Sequence, residues 1–314
     1  MKILLHYSAG PAWLRDIKKL AAQGLDVDCC DELDDQRFYE LLPDAEVIWH
    51  ALRPITAADI ARAPKLRLIQ KIGVGVNTID LEASKARGIA VCNMPGSNAR
   101  AVAEMALLLM LACLRRLPMV DRATREGRGW KLDPALQDSY GELGGRTVGL
   151  VGFGSIPKML VPILHAAGAS VLYTATEPKE GSTEIFRRLP ELLKQSDIVS
   201  LHVPLTPTSA GMIGREQLAS MRPASILINT ARGGLVDSAA LAEALKSGHI
   251  GAAGLDVFAT EPVSPTDPLL ALENVVLAPH VAWLTTGTLE RSLAIAVENC
   301  TRLNDGNFLL HRVV

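Results

Sequence analysis

Short apolar runs alternate with longer stretches of helical spacing along the whole chain, the pattern of a parallel α/β protein. In the first part the predicted strands are residues 3–7, 46–51, 66–72 and 89–92, with helical stretches between them such as 12–23 and 81–87. Residues 98–117 form the longest helical segment, and it is apolar on almost every side. A surface helix shows one apolar stripe, so this segment belongs in a core or at an interface. The polar, Gly- and Pro-bearing stretch 118–145 has no clear period. A second alternating series starts at Arg146, with strands expected at 147–151, 170–173, 198–203, 225–229, 252–257 and 275–277 and a closing helix over 286–303. There is no repeat of solenoid period and no low-complexity tract.

Composition narrows the class. A chain of 314 residues is long for one core and comfortable for two domains. Its 48% hydrophobic and 21% charged residues do not suggest disorder. A net charge of -2, from 32 basic and 34 acidic residues, gives no footprint for nucleic acid or an anionic membrane, so neither is expected as a partner. The pairs Arg115-Arg116 and Arg187-Arg188 are too short to be patches. Cys29, Cys30, Cys92, Cys113 and Cys300 show no metal-binding spacing and no even framework, which suits free thiols in a reducing compartment. The N-terminal apolar run is too short for a signal peptide, and the apolar stretch 101–114 carries Glu104 and is too short to span a bilayer. The expectation is a soluble, cytoplasmic protein without a metal site.

Candidate chemistry lies in four places. Val148-Gly149-Leu150-Val151-Gly152-Phe153-Gly154-Ser155-Ile156-Pro157 is an apolar strand running into a glycine turn and then a helix, the layout of a dinucleotide site. Its third glycine is replaced by Pro157, so the helix should sit slightly further out, and Pro162 should bend it. The N–H groups of Ser155 and Ile156 would still face a phosphate. Three further segments place Arg232, Glu261 and His280 just past strand-like runs. In a parallel sheet the carboxyl ends of strands face the ligand crevice. Arginine grips a carboxylate with two parallel hydrogen bonds. Histidine exchanges a proton near neutral pH, and a carboxylate behind it fixes its tautomer and raises its pKa. Together the three suit a ketone that bears a carboxylate.

After the second strand of this series, the acid that normally binds the ribose 2′-hydroxyl is expected at Ala175, which has no carboxylate. Thr174 and Thr176 offer hydrogen bonds to a 2′-phosphate, and Lys179 is in reach. The cofactor expected is NADP or NAD, with a slight lean to NADP. Glu177, two residues late, is the competing ribose partner.

From about residue 65 to 303 the chain resembles the D-isomer-specific 2-hydroxyacid dehydrogenase family. The matching pieces are Lys71-Ile72-Gly73-Val74-Gly75-Val76-Asn77, Asn93-Met94-Pro95-Gly96-Ser97-Asn98 with Ala101-Val102-Ala103-Glu104, Gly127-Arg128-Gly129-Trp130, and Leu201-His202-Val203-Pro204-Leu205-Thr206. The resemblance implies two Rossmann-like, doubly wound parallel-sheet domains with the active site in the cleft between them. The substrate domain would comprise 1–98 plus 284–314, and the dinucleotide domain 99–283. It implies Arg232, Glu261 and His280 as the catalytic set, with Val74 and Gly75 holding the substrate carboxylate through backbone N–H groups. Cofactor contacts would come from Gly152, Gly154, Ser155, Ile156, Thr174, Ala175, Thr176, His202, Val203, Pro204, Thr230 and Ala231, with Asp256 on the nicotinamide carboxamide. The helix from 98 would pair two subunits into a homodimer, with the 118–145 arm crossing to the partner. Pro279-His280-Val281-Ala282-Trp283 resembles the branch that reduces glyoxylate and hydroxypyruvate.

The expected reaction is hydride transfer from NAD(P)H to a 2-keto acid, giving a D-2-hydroxy acid. Two other readings share the scaffold. A corepressor-like NAD(H)-binding protein would call for a peptide-recognition extension, and none is evident. A formate or phosphite dehydrogenase is less suited, because formate oxidation needs no general base.

Overall fold

A computed structural model describes residues 1–131 and 133–314. The chain divides into two compact units, Met1–Asn98 with Leu284–Val314, and Ala99–Trp283.

The first unit runs β1 (Lys2–His6), α1 (Pro11–Lys19), β2 (Asp26–Cys30), α2 (Asp35–Leu41), β3 (Val47–His50), α3 (Ala57–Ala61), β4 (Leu68–Lys71), α4 (Leu81–Ala86) and β5 (Ala90–Cys92). Its five strands are all parallel, in the order β2-β1-β3-β4-β5. Strands β3, β4 and β5 are buried at every residue, as expected of strands covered on both faces. Short helices start where side chains cap them. Thr56 and Asp59 form a reciprocal capping box on α3, and Asp80 accepts from the Ala83 N–H on α4. The closing segment returns to this unit. Buried Asn299 donates to Gln70 Oε1 at 2.6 Å and accepts from the Leu310 N–H at 2.7 Å.

The second unit opens on α5 (Ala99–Leu114) and α6 (Leu117–Arg125). It continues through β6 (Thr147–Val151), α7 (Ser155–Ala166), β7 (Ser170–Thr174), β8 (Ile185–Phe186), α8 (Leu189–Gln195), β9 (Ile198–Leu201), α9 (Arg215–Ser220), β10 (Ser225–Asn229), α10 (Ser238–Lys246), β11 (Ile250–Leu255) and β12 (Val275–Leu277). The last helix of the chain, α11 (Thr286–Asp305), belongs to the first unit. Seven parallel strands lie in the order β12-β11-β10-β9-β6-β7-β8. Without the edge strand β12 this is the doubly wound dinucleotide-binding order, and its direction reverses between β6 and β9. One face of the sheet is covered by α5 and α7, whose Leu109, Met110, Leu160 and Leu164 are buried against Val148, Leu150 and Ile228. The other face buries Leu192, Leu218, Leu241 and Leu245 against Val199, Leu227 and Ala253.

The structure adds to the sequence reading in three places. The long helix stops at Leu114, because Arg116 takes a left-handed conformation (φ 47°) and a new helix, α6, starts at Leu117. The stretch expected to lack regular structure therefore contains most of α6 and a 3₁₀ turn over Pro134–Ser139. α7 continues through Pro162 to Ala166, and Pro157 sits in its first turn, where no intrahelical N–H is needed.

Candidate active site

The second unit gathers its polar groups at the carboxyl ends of β10, β11 and β12. Beyond β10, Asn229 shapes the turn, its amide donating to Arg232 O at 2.9 Å and accepting from the Ala231 N–H at 3.0 Å. Gly233 follows. A Cβ there would lie 1.9 Å from the carbonyl carbon of Phe258, so the loops after β10 and β11 touch backbone to backbone. This contact sets Arg232 beside the Phe258–Glu261 turn. Burial pulls the Arg232 pKa down, and the charge of Glu261 opposes that.

Glu261 uses both carboxylate oxygens. Oε1 accepts from the Phe258 N–H at 2.9 Å and fixes its own turn, while Oε2 lies 2.6 Å from His280 Nδ1. Burial pushes the Glu261 carboxyl up. Hydrogen bonds from His280 and Phe258, with the charges of His280 and Arg232, outweigh that and hold it below its ordinary value. His280 sits at φ 57°, unusual for a residue with a side chain. Its N–H donates to Asp256 O at 2.7 Å, and its carbonyl accepts from Trp283 Nε1 at 3.1 Å. With Nδ1 committed to the carboxylate, Nε2 is the nitrogen left to exchange a proton.

Asp256 is fully buried, and its two oxygens accept from the N–H groups of Val281 and Ala282 at 2.9 and 3.0 Å. Burial raises its pKa and those two hydrogen bonds oppose the rise. The contacts of this side chain are therefore with the His280 loop, which it holds against the end of β11. Sequence reasoning assigned it to a carboxamide and missed this role. It missed Gly233 as well.

At the switch point the residues fit a dinucleotide. Gly152 takes φ 99°, and a Cβ there would lie 2.6 Å from His202 O just past β9, so only glycine makes this turn from β6 into α7. Nothing crowds Gly154, which caps α7. The first-turn N–H groups of Ser155 and Ile156 then point out from the helix start. Two buried polar atoms lining the same carboxyl edge lack a partner among the described residues, His202 Nδ1 and Thr230 Oγ1. His202 Nε2 pairs with Ser200 Oγ at 2.9 Å, and burial pushes this imidazole down to about 4. Val203 and Pro204 continue the same loop, and Ala231 follows Thr230. Thr174 ends β7 and Ala175 and Thr176 follow it; the next segment is tied back by the Lys179 N–H, which donates to Tyr173 Oη at 2.8 Å.

In the first unit, Gly73 adopts φ 146°, and the loop after β4 is pinned by Met94 N–H to Gly73 O (2.8 Å) and Asn93 Nδ2 to Val74 O (2.9 Å). The N–H groups of Val74 and Gly75 make no hydrogen bond among the described residues. No group of three or more His, Cys, Asp or Glu among those residues could hold a metal ion. No helix there is long and apolar enough to cross a membrane.

Comparison with known proteins agrees with this geometry. Residues 107–282 match the family described as D-isomer specific 2-hydroxyacid dehydrogenase, NAD binding domain. A glyoxylate reductase of Korarchaeum cryptofilum is 42% identical over 81% of this chain and 77% of its own length. A D-3-phosphoglycerate dehydrogenase of Mycobacterium tuberculosis is 38% identical over 89% of this chain, which spans only 53% of that longer protein. The crystal structure of TT0316 protein from Thermus thermophilus superposes with a TM-score of 0.91 at 37% identity, covering 100% of both chains. A nicotinamide-binding unit of doubly wound order, with an arginine and a carboxylate-backed histidine at its carboxyl edge, thus comes with a family match across most of that unit: the chain belongs to the D-isomer specific 2-hydroxyacid dehydrogenase family, oxidoreductases acting on CH–OH donors.

Proposed function

We propose that this chain reduces a small 2-keto acid to its D-2-hydroxy acid, with glyoxylate and hydroxypyruvate as the substrates and His280 as the proton donor. The observation that carries the proposal is the 2.6 Å contact between Glu261 and His280 Nδ1, which leaves Nε2 for the substrate oxygen. The bound nicotinamide would supply the hydride. Protonated His280 gives its Nε2 proton to the carbonyl oxygen as that oxygen becomes a hydroxyl. Glu261 stabilises the charged ring before the transfer and keeps the proton of the neutral ring on Nδ1 after it. Arg232 holds the substrate carboxylate with paired N–H groups and draws electron density from the adjacent carbonyl. The N–H groups of Val74 and Gly75 are proposed as further carboxylate donors. The dinucleotide would lie on Gly152, Gly154, Ser155 and Ile156, with Thr230 Oγ1 and His202 Nδ1 as polar partners.

NADP is the proposed cofactor, because Ala175 presents no carboxylate to repel a 2′-phosphate and Lys179 lies close by in sequence. The proposed assembly is a cytoplasmic homodimer built on α5, whose Leu108 and Leu111 are exposed at 53% and 40% although the helix is otherwise mostly buried. Light scattering at micromolar concentration tests it, and a mass of 33.7 kDa would exclude it.

The deciding experiment is a panel of glyoxylate, hydroxypyruvate, phosphohydroxypyruvate, pyruvate and phenylpyruvate with NADH and with NADPH. The highest kcat/KM is expected with glyoxylate or hydroxypyruvate and NADPH. A preference for the phosphorylated keto acid would shift the reading towards the activity named for the mycobacterial relative. No turnover with any of them would end the proposal.

A further inference from the structure

The loop after β4 carries the N–H groups of Val74 and Gly75, and its carbonyls fix the direction in which those groups point. The peptide bonds Gly73–Val74 and Val74–Gly75 are trans. In a planar trans peptide the C=O and the N–H point in opposite directions. Gly73 O accepts from the Met94 N–H at 2.8 Å, so the Val74 N–H of the same unit points away from residue 94. Val74 O accepts from Asn93 Nδ2 at 2.9 Å, so the Gly75 N–H points away from residue 93. Both carbonyls are drawn to one short segment just past β5, and both N–H groups are turned to the other side. Two successive N–H groups facing one way suit an anion, and neither has a partner among the described residues.

Asn93 is itself held from behind. Its N–H donates to His311 O at 3.2 Å. Residues 311–314 run antiparallel along β5, an edge strand, with the Val313 N–H on Val91 O at 2.7 Å and the Val91 N–H on Val314 O at 3.3 Å. The start of this tail is fixed by buried Asn299, which accepts from the Leu310 N–H at 2.7 Å and donates to Gln70 Oε1 at 2.6 Å. Gln70 is buried in β4, and its amide donates to the carbonyls of Lys71 at 3.2 Å and Cys92 at 3.3 Å, the residues that end β4 and β5. One polar network thus runs from the tail to the stems of both loops.

We propose that Asn93 is a positioning residue for the substrate carboxylate, and that residues 311–314 act through it. The proposal rests on the reading of Val74 and Gly75 as carboxylate donors. Asn93 acts through the peptide unit it orients: without its amide, the Val74–Gly75 unit is free to rotate and the Gly75 N–H is no longer held towards the anion. The carboxylate is bound before and during the reaction alike, so the loss falls on KM rather than on kcat.

The test uses the full-length chain and the 2-keto acid it reduces best. KM and kcat are measured together with the inhibition constant of oxamate, a carboxylate that takes no hydride, and with the affinity for the reduced nicotinamide by fluorescence. Asn93→Ala should raise KM and the oxamate constant in parallel by about three- to tenfold, the loss of one hydrogen bond. Both kcat and cofactor affinity should stay within about twofold. Asn93→Asp, which offers Val74 O no donor, should act more strongly. Val313→Pro removes the N–H that ties the tail to Val91. It should raise the same two constants, and it should add little to Asn93→Ala, because both act on one peptide unit. Unchanged constants in Asn93→Ala overturn the proposal, as does a loss shared equally by kcat and cofactor affinity. A fully additive effect of Val313→Pro overturns the role of the tail. If the unaltered chain neither reduces a 2-keto acid nor is inhibited by oxamate, the proposed function fails, and the positioning role fails with it.

Discussion

Glu261→Gln tests the central pair with the least disturbance. The amide keeps the size of the side chain, and its oxygen can still accept the Phe258 N–H, now at 2.9 Å. The amide nitrogen then faces His280 Nδ1 across a gap that is 2.6 Å in the native protein. Two donors cannot share that contact, so the ring must offer Nδ1 as an acceptor and keep its single proton on Nε2. The doubly protonated ring that donates to substrate loses its anionic partner. A hydrogen bond to a charged group contributes about 1.5–3 kcal/mol, which corresponds to about 10- to 150-fold in kcat/KM at neutral pH. Arg232 also loses the nearby charge that favours its protonated form, so KM should rise. The assay is the initial rate of NADPH oxidation from about pH 5 to 9, with NADPH affinity measured separately by fluorescence. Wild-type efficiency at every pH, or a loss of cofactor affinity that accounts for the whole effect, would refute the pairing argument.

The other expected outcomes are independent of that profile. His280→Ala should lower turnover by roughly 10²–10⁴-fold with NADPH still bound; retention of a third of the activity would remove His280 from the mechanism. Ala175→Asp should shift preference towards NADH by about tenfold or more, since the new carboxylate binds ribose hydroxyls and repels a 2′-phosphate, and the ratio of kcat/KM for the two cofactors reads it directly. Gly233→Ala should destabilise the second unit and lower activity together, because its Cβ would fall 1.9 Å from the Phe258 backbone; an unchanged melting temperature would contradict the close contact. Burial holds the imidazoles of His6 and His202 at about 4, against an ordinary 6.5. The folded pKa is the lower one, so stability present above pH 6.5 is lost as pH falls towards 4, by on the order of 3 kcal/mol per group. Both ring nitrogens of His6 lack partners among the described residues, so His6→Leu should flatten part of that acid limb in denaturant titrations without a loss at neutral pH.

Much of the fold was legible because buried parallel strands are nearly continuous apolar runs, as at Val47–His50 and Ile198–Leu201. The strands that escaped notice are edge strands. β2 reads Asp-Val-Asp-Cys-Cys, with acidic residues on an exposed edge, and β8 has two residues. Neither carries the apolar run that marks a central strand. The end of α5 was placed three residues late, since Arg115-Arg116-Leu117 is acceptable helical sequence up to Pro118 and the positive φ of Arg116 breaks the helix earlier.

The site was legible to a different depth at each residue. That Arg232, Glu261 and His280 lie near one another could be anticipated because each comes a few residues past a strand, and strand ends in a parallel sheet converge by topology. What holds them in place could not be found that way. Gly233 matters through a backbone contact with Phe258, and Asp256 through two hydrogen bonds to a loop about 25 residues later. Such contacts depend on register between β10, β11 and β12, which local sequence does not encode. The Asp256 carboxylate is completely buried, each of its oxygens accepts a backbone N–H, and these bonds hold the His280 loop, whose backbone is at φ 57°. A non-glycine residue in that conformation persists only where its surroundings over-determine it. Here the Asp256 carboxylate, the Asp256 carbonyl and the Trp283 indole supply that constraint, and the constraint keeps Nδ1 within 2.6 Å of Glu261.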